Sequence, residues 1–81
     1  MKNVIIDNFI KVIVVKNTHS LNLEAGSVEG AYITIVNKSG GDLTITGNGA
    51  TALTISNGTS TVATLYNGVF TIGYLAGAVW N

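Results

Sequence analysis

Apolar and polar positions alternate through most of this chain. In Ala31–Lys38, Ile33 and Ile35 fall on one side of an extended strand, and Tyr32, Thr34 and Val36 on the other. Leu43 and Ile45 stand against Thr44 and Thr46, and Leu53 and Ile55 against Thr54 and Ser56. A period of two with one apolar side marks a strand whose sheet has one buried face. The pattern predicts strands over Ala31–Lys38, Asp42–Gly47, Thr51–Ser56, Thr61–Tyr66 and Val69–Tyr74. Ser20–Glu24 alternates in the same way with Leu21 and Leu23 inward, and Val4–Ile6 reads as a short first strand.

Turn signals separate these runs. Gly40-Gly41-Asp42, Asn48-Gly49, Asn57-Gly58 and Asn67-Gly68 recur every 8 to 10 residues. Asn-Gly suits a two-residue hairpin turn, because both central positions must accept positive φ. The expectation is an all-β fold, an antiparallel meander closing into a small sandwich or barrel. The drifting interval argues against a β-solenoid, whose coils are expected to hold a fixed period. Glu24–Ala31, "EAGSVEGA", is the one longer loop.

Asn8–Lys16, "NFIKVIVVK", breaks the alternation. Phe9, Ile13 and Val15 line one side of it, and Ile10, Val12 and Val14 the other. A strand apolar on both sides is either central in its sheet or covered by another chain.

Composition sharpens this picture. The chain has 81 residues, enough for one domain over 1–81, and 47% of them are hydrophobic. Only 10% are charged, against about 25% in an ordinary soluble domain. All eight charges lie at or before Asp42, and Leu43–Asn81 carries none. Interface cores lose charge in this way, so partner chains are expected to cover much of that half. Net charge is zero and no basic patch exists to neutralise phosphates, so nucleic acid is not an expected partner. The apolar "VFTIGYLAGAVW" is 12 residues, short of the roughly 18 that a spanning helix needs, and no membrane partner is expected. No cysteine is available for a disulfide or a thiolate metal site.

Catalytic chemistry finds little footing. His19 is the single histidine and sits in a polar turn, "KNTHS", with no nucleophile elbow nearby. Asp7, Glu24, Glu29 and Asp42 are scattered, without the spacing of a metal or calcium site. The reading is a non-enzyme with no cofactor. Asn37-Lys38-Ser39 and Asn57-Gly58-Thr59 match glycosylation acceptors and are discounted as chance matches in an Asn/Thr-rich chain. Thr44-x-Thr46 and Thr59-x-Thr61 are read as outward strand threonines rather than an ice-binding ladder.

The stretch "GAYITIVNKSGGDLTITGNG…TLYNG", with a tryptophan following, resembles small all-β structural modules of tailed-bacteriophage virions. These occur in tail fibres, head fibres and capsid decoration (cement) proteins. The likeness runs over Gly30–Asn81. It departs from the family pattern before Trp80, where "LAGAVW" replaces an acidic or Gly-rich turn. What it implies is a homotrimer of interlocked chains without catalytic residues, made in the host cytoplasm and residing in the virion. Its partners would be further copies of itself and the major capsid protein or another virion protein. A free-standing chain starting at Met1 fits a capsid decoration protein better than a long fibre. Residues 1–25 would form N-terminal strands able to pair with a neighbour, and 30–81 the meander. A fibre module binding host glycans and a non-viral β-sandwich binding domain are the alternatives. Aromatic anchors are favoured at interfaces, and the residues expected to meet partners are Phe9, Ile10, Val12, Val14, Tyr66, Phe70, Tyr74 and Trp80.

Overall fold

The computed structural model describes residues 1–73. It contains eight strands and no helix: β1 (Lys2–Ile6), β2 (Ile10–Val15), β3 (Ser20–Ala25), β4 (Ala31–Asn37), β5 (Leu43–Gly47), β6 (Thr51–Ile55), β7 (Ser60–Tyr66) and β8 (Val69–Ile72). All eight fall within a residue or two of the positions the alternation predicts. Tyr74, expected at the end of the last strand, lies outside the described residues, as does Trp80.

The strands form two mixed four-stranded sheets, β1-β3-β5-β6 and β2-β4-β7-β8. This corrects the expected antiparallel meander. From β1 to β5 the chain crosses to the other sheet after every strand, so β1, β3 and β5 pair in parallel and so do β2 and β4. Only β5–β6, β4–β7 and β7–β8 are antiparallel. The first half therefore winds as a β-solenoid does. Its circuits are unequal: Asn3 and Asn22, 19 residues apart, are register partners, whereas Asn22 and Thr46 are 24 apart. Unequal loops hide the repeat from any test for a fixed period.

The turns divide accordingly. Asn67 and Gly68, at φ 53° and 73°, form the two-residue hairpin that joins β7 to β8. Asn48 and Gly49 also take positive φ, and the Ala50 N–H donates to Gly47 O at 3.0 Å, closing β5 onto β6. Gly40-Gly41-Asp42 and Asn57-Gly58 are corners instead: each carries the chain from one sheet to the other, and Asn57 keeps negative φ.

One hydrophobic core lies between the sheets. Ile6, Leu21, Leu23, Leu43 and Ile45 enter it from the first sheet, and Ile13, Val15, Ile33, Ile35, Leu65 and Phe70 from the second. Asn37 is also buried, and its hydrogen bonds are complete. Its Nδ2 donates to Gly41 O (2.8 Å) and Ile55 O (3.0 Å), and its Oδ1 accepts from Ser39 N (3.0 Å) and Ser39 Oγ (2.6 Å). Its amide holds the β4–β5 corner closed and ties it to the end of β6. At the opposite end Asn48 accepts from Ala25 N and donates to Gly68 O, each at 3.0 Å. The buried, satisfied amide of Asn37 fixes a corner that apolar packing leaves free to slide, and the exposed Asn48 ties its own turn to two neighbouring segments.

Candidate interaction surface

The outward faces of the two sheets differ in chemistry. On the first sheet, Asn3, Asn22 and Thr46 stand side by side across β1, β3 and β5. Asn22 Nδ2 donates to Asn3 Oδ1 (3.2 Å), and Asn22 Oδ1 accepts from Thr46 Oγ1 (2.7 Å) and Gly49 N (3.0 Å). Thr44 and Thr54 pair through their hydroxyls at 3.1 Å. This face is mainly polar, with Asn and Thr side chains hydrogen-bonded to one another and with Ile5 and Glu24 exposed beside them.

The outward face of the second sheet is apolar. The register sets Ile10 beside Tyr32 and Thr64, Val12 beside Thr34 and Val62, and Val14 beside Val36 and Ser60. Tyr66 and Val69 extend it at one end. No charged residue occupies any outward position of the sheet. Ile10, Val12 and Val14 are 79%, 63% and 47% exposed, and Tyr66 and Val69 are also exposed.

This corrects the position of β2. Apolar on both sides, it is nonetheless an edge strand rather than a central one. Ile13 and Val15 are core residues, while the other row is open in the isolated chain. Phe9 shares sequence parity with Ile13 but precedes the strand and is exposed. Its ring and that of Tyr66 both reach the space over Gly30, where a Cβ would lie 4.0 Å and 3.8 Å from them. Phe70 does not join this surface. It packs inside the core against Gly47, where an added Cβ would come 2.5 Å from its own. Of the eight residues expected to meet partners, the structure brings Ile10, Val12, Val14 and Tyr66 to one face, puts Phe9 beside them and buries Phe70. Tyr74 and Trp80 lie outside the described residues. Sequence reasoning missed Val69, Val36 and Tyr32 as members of this face, because only the order β2-β4-β7-β8 sets Val36 beside Val14, Tyr32 beside Ile10 and Val69 beside Tyr66.

Other features carry less. His19 is exposed at the corner before β3, where its backbone carbonyl accepts from Thr44 N at 3.0 Å. Among the described residues no three of His, Asp and Glu gather where they could hold a metal ion. An open cleft of about 390 Å³ lies beside the start of β1 and the end of β2, lined by Met1, Lys2, Val14, Lys16 and Thr18. The Thr18 hydroxyl there donates to Ser20 O at 3.1 Å, and the lysines have no acid or imidazole beside them in the lining to form a proton-transfer pair. Asn37, the first glycosylation match, has its amide nitrogen committed to two carbonyls at no solvent exposure, which closes it to modification in the folded chain. Among the described residues no helix is long and apolar enough to cross a membrane.

Comparisons with protein-family models, with curated proteins and with solved structures find no match for this chain.

Proposed function

We propose that this chain is a non-enzymatic structural subunit of a virion, a capsid decoration protein that self-associates, as a homotrimer, and stabilises the shell to which it binds. The observation that supports this reading is the uncharged, mainly apolar face of the second sheet, in a molecule whose other sheet face carries Asn and Thr side chains hydrogen-bonded to one another. The largest apolar patch on a protein surface is often a functional one. A role in assembly accounts for it, and the resemblance of Gly30–Asn81 to phage modules gives the assembly its identity. Co-sedimentation with shells of the phage that encodes it tests the reading: the protein should pellet with shells and raise the temperature at which they break, as any ligand of the assembled state does.

The second reading is a fibre module that binds host glycans. The exposed rings of Phe9 and Tyr66 over Gly30 favour it, since flat aromatic rings are suited to stacking on the apolar faces of sugars and the Tyr66 hydroxyl adds a polar tip. Pelleting with host envelopes, and not with shells, would select it.

A further inference from the structure

We propose that Asn67 is a site of self-modification. In the folded chain the Gly68 amide nitrogen attacks the Asn67 side-chain amide, ammonia leaves, and water opens the resulting succinimide to aspartate or isoaspartate. The proposal is independent of the role in a virion.

Nine asparagines occur in the chain, and three of them precede glycine: Asn48, Asn57 and Asn67. Ring closure needs the nitrogen of the following residue to reach the side-chain carbon, and a glycine there has no Cβ in the way. Sequence therefore ranks the three sites equally. Exposure does too, since all three asparagines are exposed. Hydrogen bonds separate them. At Asn48 the attacking nitrogen is committed, because Gly49 N donates to Asn22 Oδ1 at 3.0 Å. The Asn48 side chain is also held at both of its polar atoms, accepting from Ala25 N and donating to Gly68 O. At Asn57 the Gly58 N–H donates to Asn37 O at 2.7 Å, and Asn57 Oδ1 accepts from Gly40 N at 2.8 Å. At Asn67, among the described residues, no acceptor takes the Gly68 N–H and no group bonds the side-chain amide. The turn explains the difference. Tyr66 and Val69 close the two-residue hairpin, which leaves the Gly68 N–H outside the ladder. Of these groups only the Asn67 backbone N–H is engaged, donating to a Glu29 carboxylate oxygen.

The peptide unit between asparagine and glycine must rotate toward the side chain before attack. At Asn48 and Asn57 hydrogen bonds must open first, and each slows the reaction by roughly two- to tenfold. At Asn67 none has to open. Solvent base takes the Gly68 amide proton as its nitrogen bonds to Cγ. The Cγ–Nδ2 bond breaks, and Nδ2 picks up a proton and leaves as ammonia. Water then adds to one of the two ring carbonyls. Addition at Cγ restores the original main chain and leaves aspartate. Addition at the Asn67 main-chain carbon routes the chain through Cβ and Cγ, as isoaspartate. One water is consumed and one ammonia released. Either product adds a carboxylate to a chain of zero net charge. It stands between exposed Tyr66 and Val69 and beside the Glu29 carboxylate, so the uncharged face of the second sheet gains a charge at its end.

The test follows the purified chain in mildly alkaline buffer, folded and in denaturant. Chymotryptic cleavage after Leu53, Tyr66 and Phe70 puts each Asn-Gly in its own peptide. Mass spectrometry reports the change from amide to acid, and an isoaspartate-specific methyltransferase reports the isomer. In the folded chain Asn67 should convert roughly tenfold faster than Asn48 or Asn57. In denaturant the three rates should draw level. Asn22→Ala, which frees Gly49 N, should speed conversion of Asn48 and leave Asn67 unchanged. Equal rates at the three sites of the folded chain overturn the proposal, as does faster conversion of Asn48 or Asn57. So does an Asn67 that stays intact in the folded chain while the unfolded chain reacts. A lead of Asn67 that persists undiminished in denaturant overturns the part assigned to the fold. Should Asn22→Ala fail to fold, the comparison with denaturant decides without it.

Discussion

The side-chain amide of Asn37, at the end of β4 in the second sheet, donates to the backbone carbonyl of Ile55, at the end of β6 in the first, across 3.0 Å. The bond crosses from one sheet to the other at a corner where no strand pairing can. Asn37→Ala would remove the amide donor from the carbonyls of Gly41 and Ile55, of which Gly41 O keeps the Ser39 hydroxyl at 3.0 Å, and an unsatisfied buried group costs about 1–3 kcal/mol. Chemical denaturation should show a loss of about 3 kcal/mol for Asn37→Ala. Asn37→Asp should cost more, since a carboxylate would face the same carbonyl oxygens. Asn57→Ala, at an exposed position with one hydrogen bond to Gly40 N, should cost well under half as much.

Thr61 presents the opposite case. Its hydroxyl is buried on the inward row beside Ile35 and has no hydrogen-bond partner. Valine has nearly its shape and no polar atom to desolvate. Thr61→Val should raise stability by about 1 kcal/mol and leave the fold unchanged. A melting temperature at or below that of the wild type would show that the hydroxyl is satisfied after all.

Gly47 is the point of closest approach between β5 and β8. A Cβ there would meet the Phe70 Cβ at 2.5 Å, and backbone would have to move to relieve it. Gly47→Ala should cost about 1–3 kcal/mol by overpacking. Thr46→Ala, one residue earlier and pointing outward, should cost less than half of that in the same denaturation series.

Under the decoration reading, affinity for the shell comes from apolar and backbone contacts. It should therefore vary little between low and high salt, because screening acts on exposed charges and the chain has few to offer. A tenfold or greater loss of co-sedimentation at high salt would point to an ion-paired contact elsewhere on the chain.

The strands were legible because their signal is local. Ile33 against Thr34, or Leu43 against Thr44, shows its face without knowledge of a neighbour. The pairing was not legible, because parallel winding and antiparallel meandering need the same alternation. The Gly-Gly-Asp and Asn57-Gly58 corners carry the same residue types as true hairpin turns, yet lead to the other sheet. The two apolar sides of β2 were visible, but not that one row would join Tyr66 and Val69, which lie more than fifty residues downstream. Asn37 matched a glycosylation acceptor and was discounted as a chance match, but its structural role was not legible, because it depends on carbonyls of Gly41 and Ile55 that only the fold brings to it.

The unequal circuits of the first half give the molecule two ends of different character. Each passage through one strand of either sheet ends beside the place where it began, one strand-width along. A further passage spliced in there would lengthen both sheets by a strand and leave every downstream corner in place. The hairpins β5–β6 and β7–β8 allow no such splice, since each fold-back uses up the edge it would need. Length variation in proteins of this architecture is therefore expected at the β1–β2 end, where the molecule can grow by whole turns, and not at the end where Gly47 draws the sheets shut.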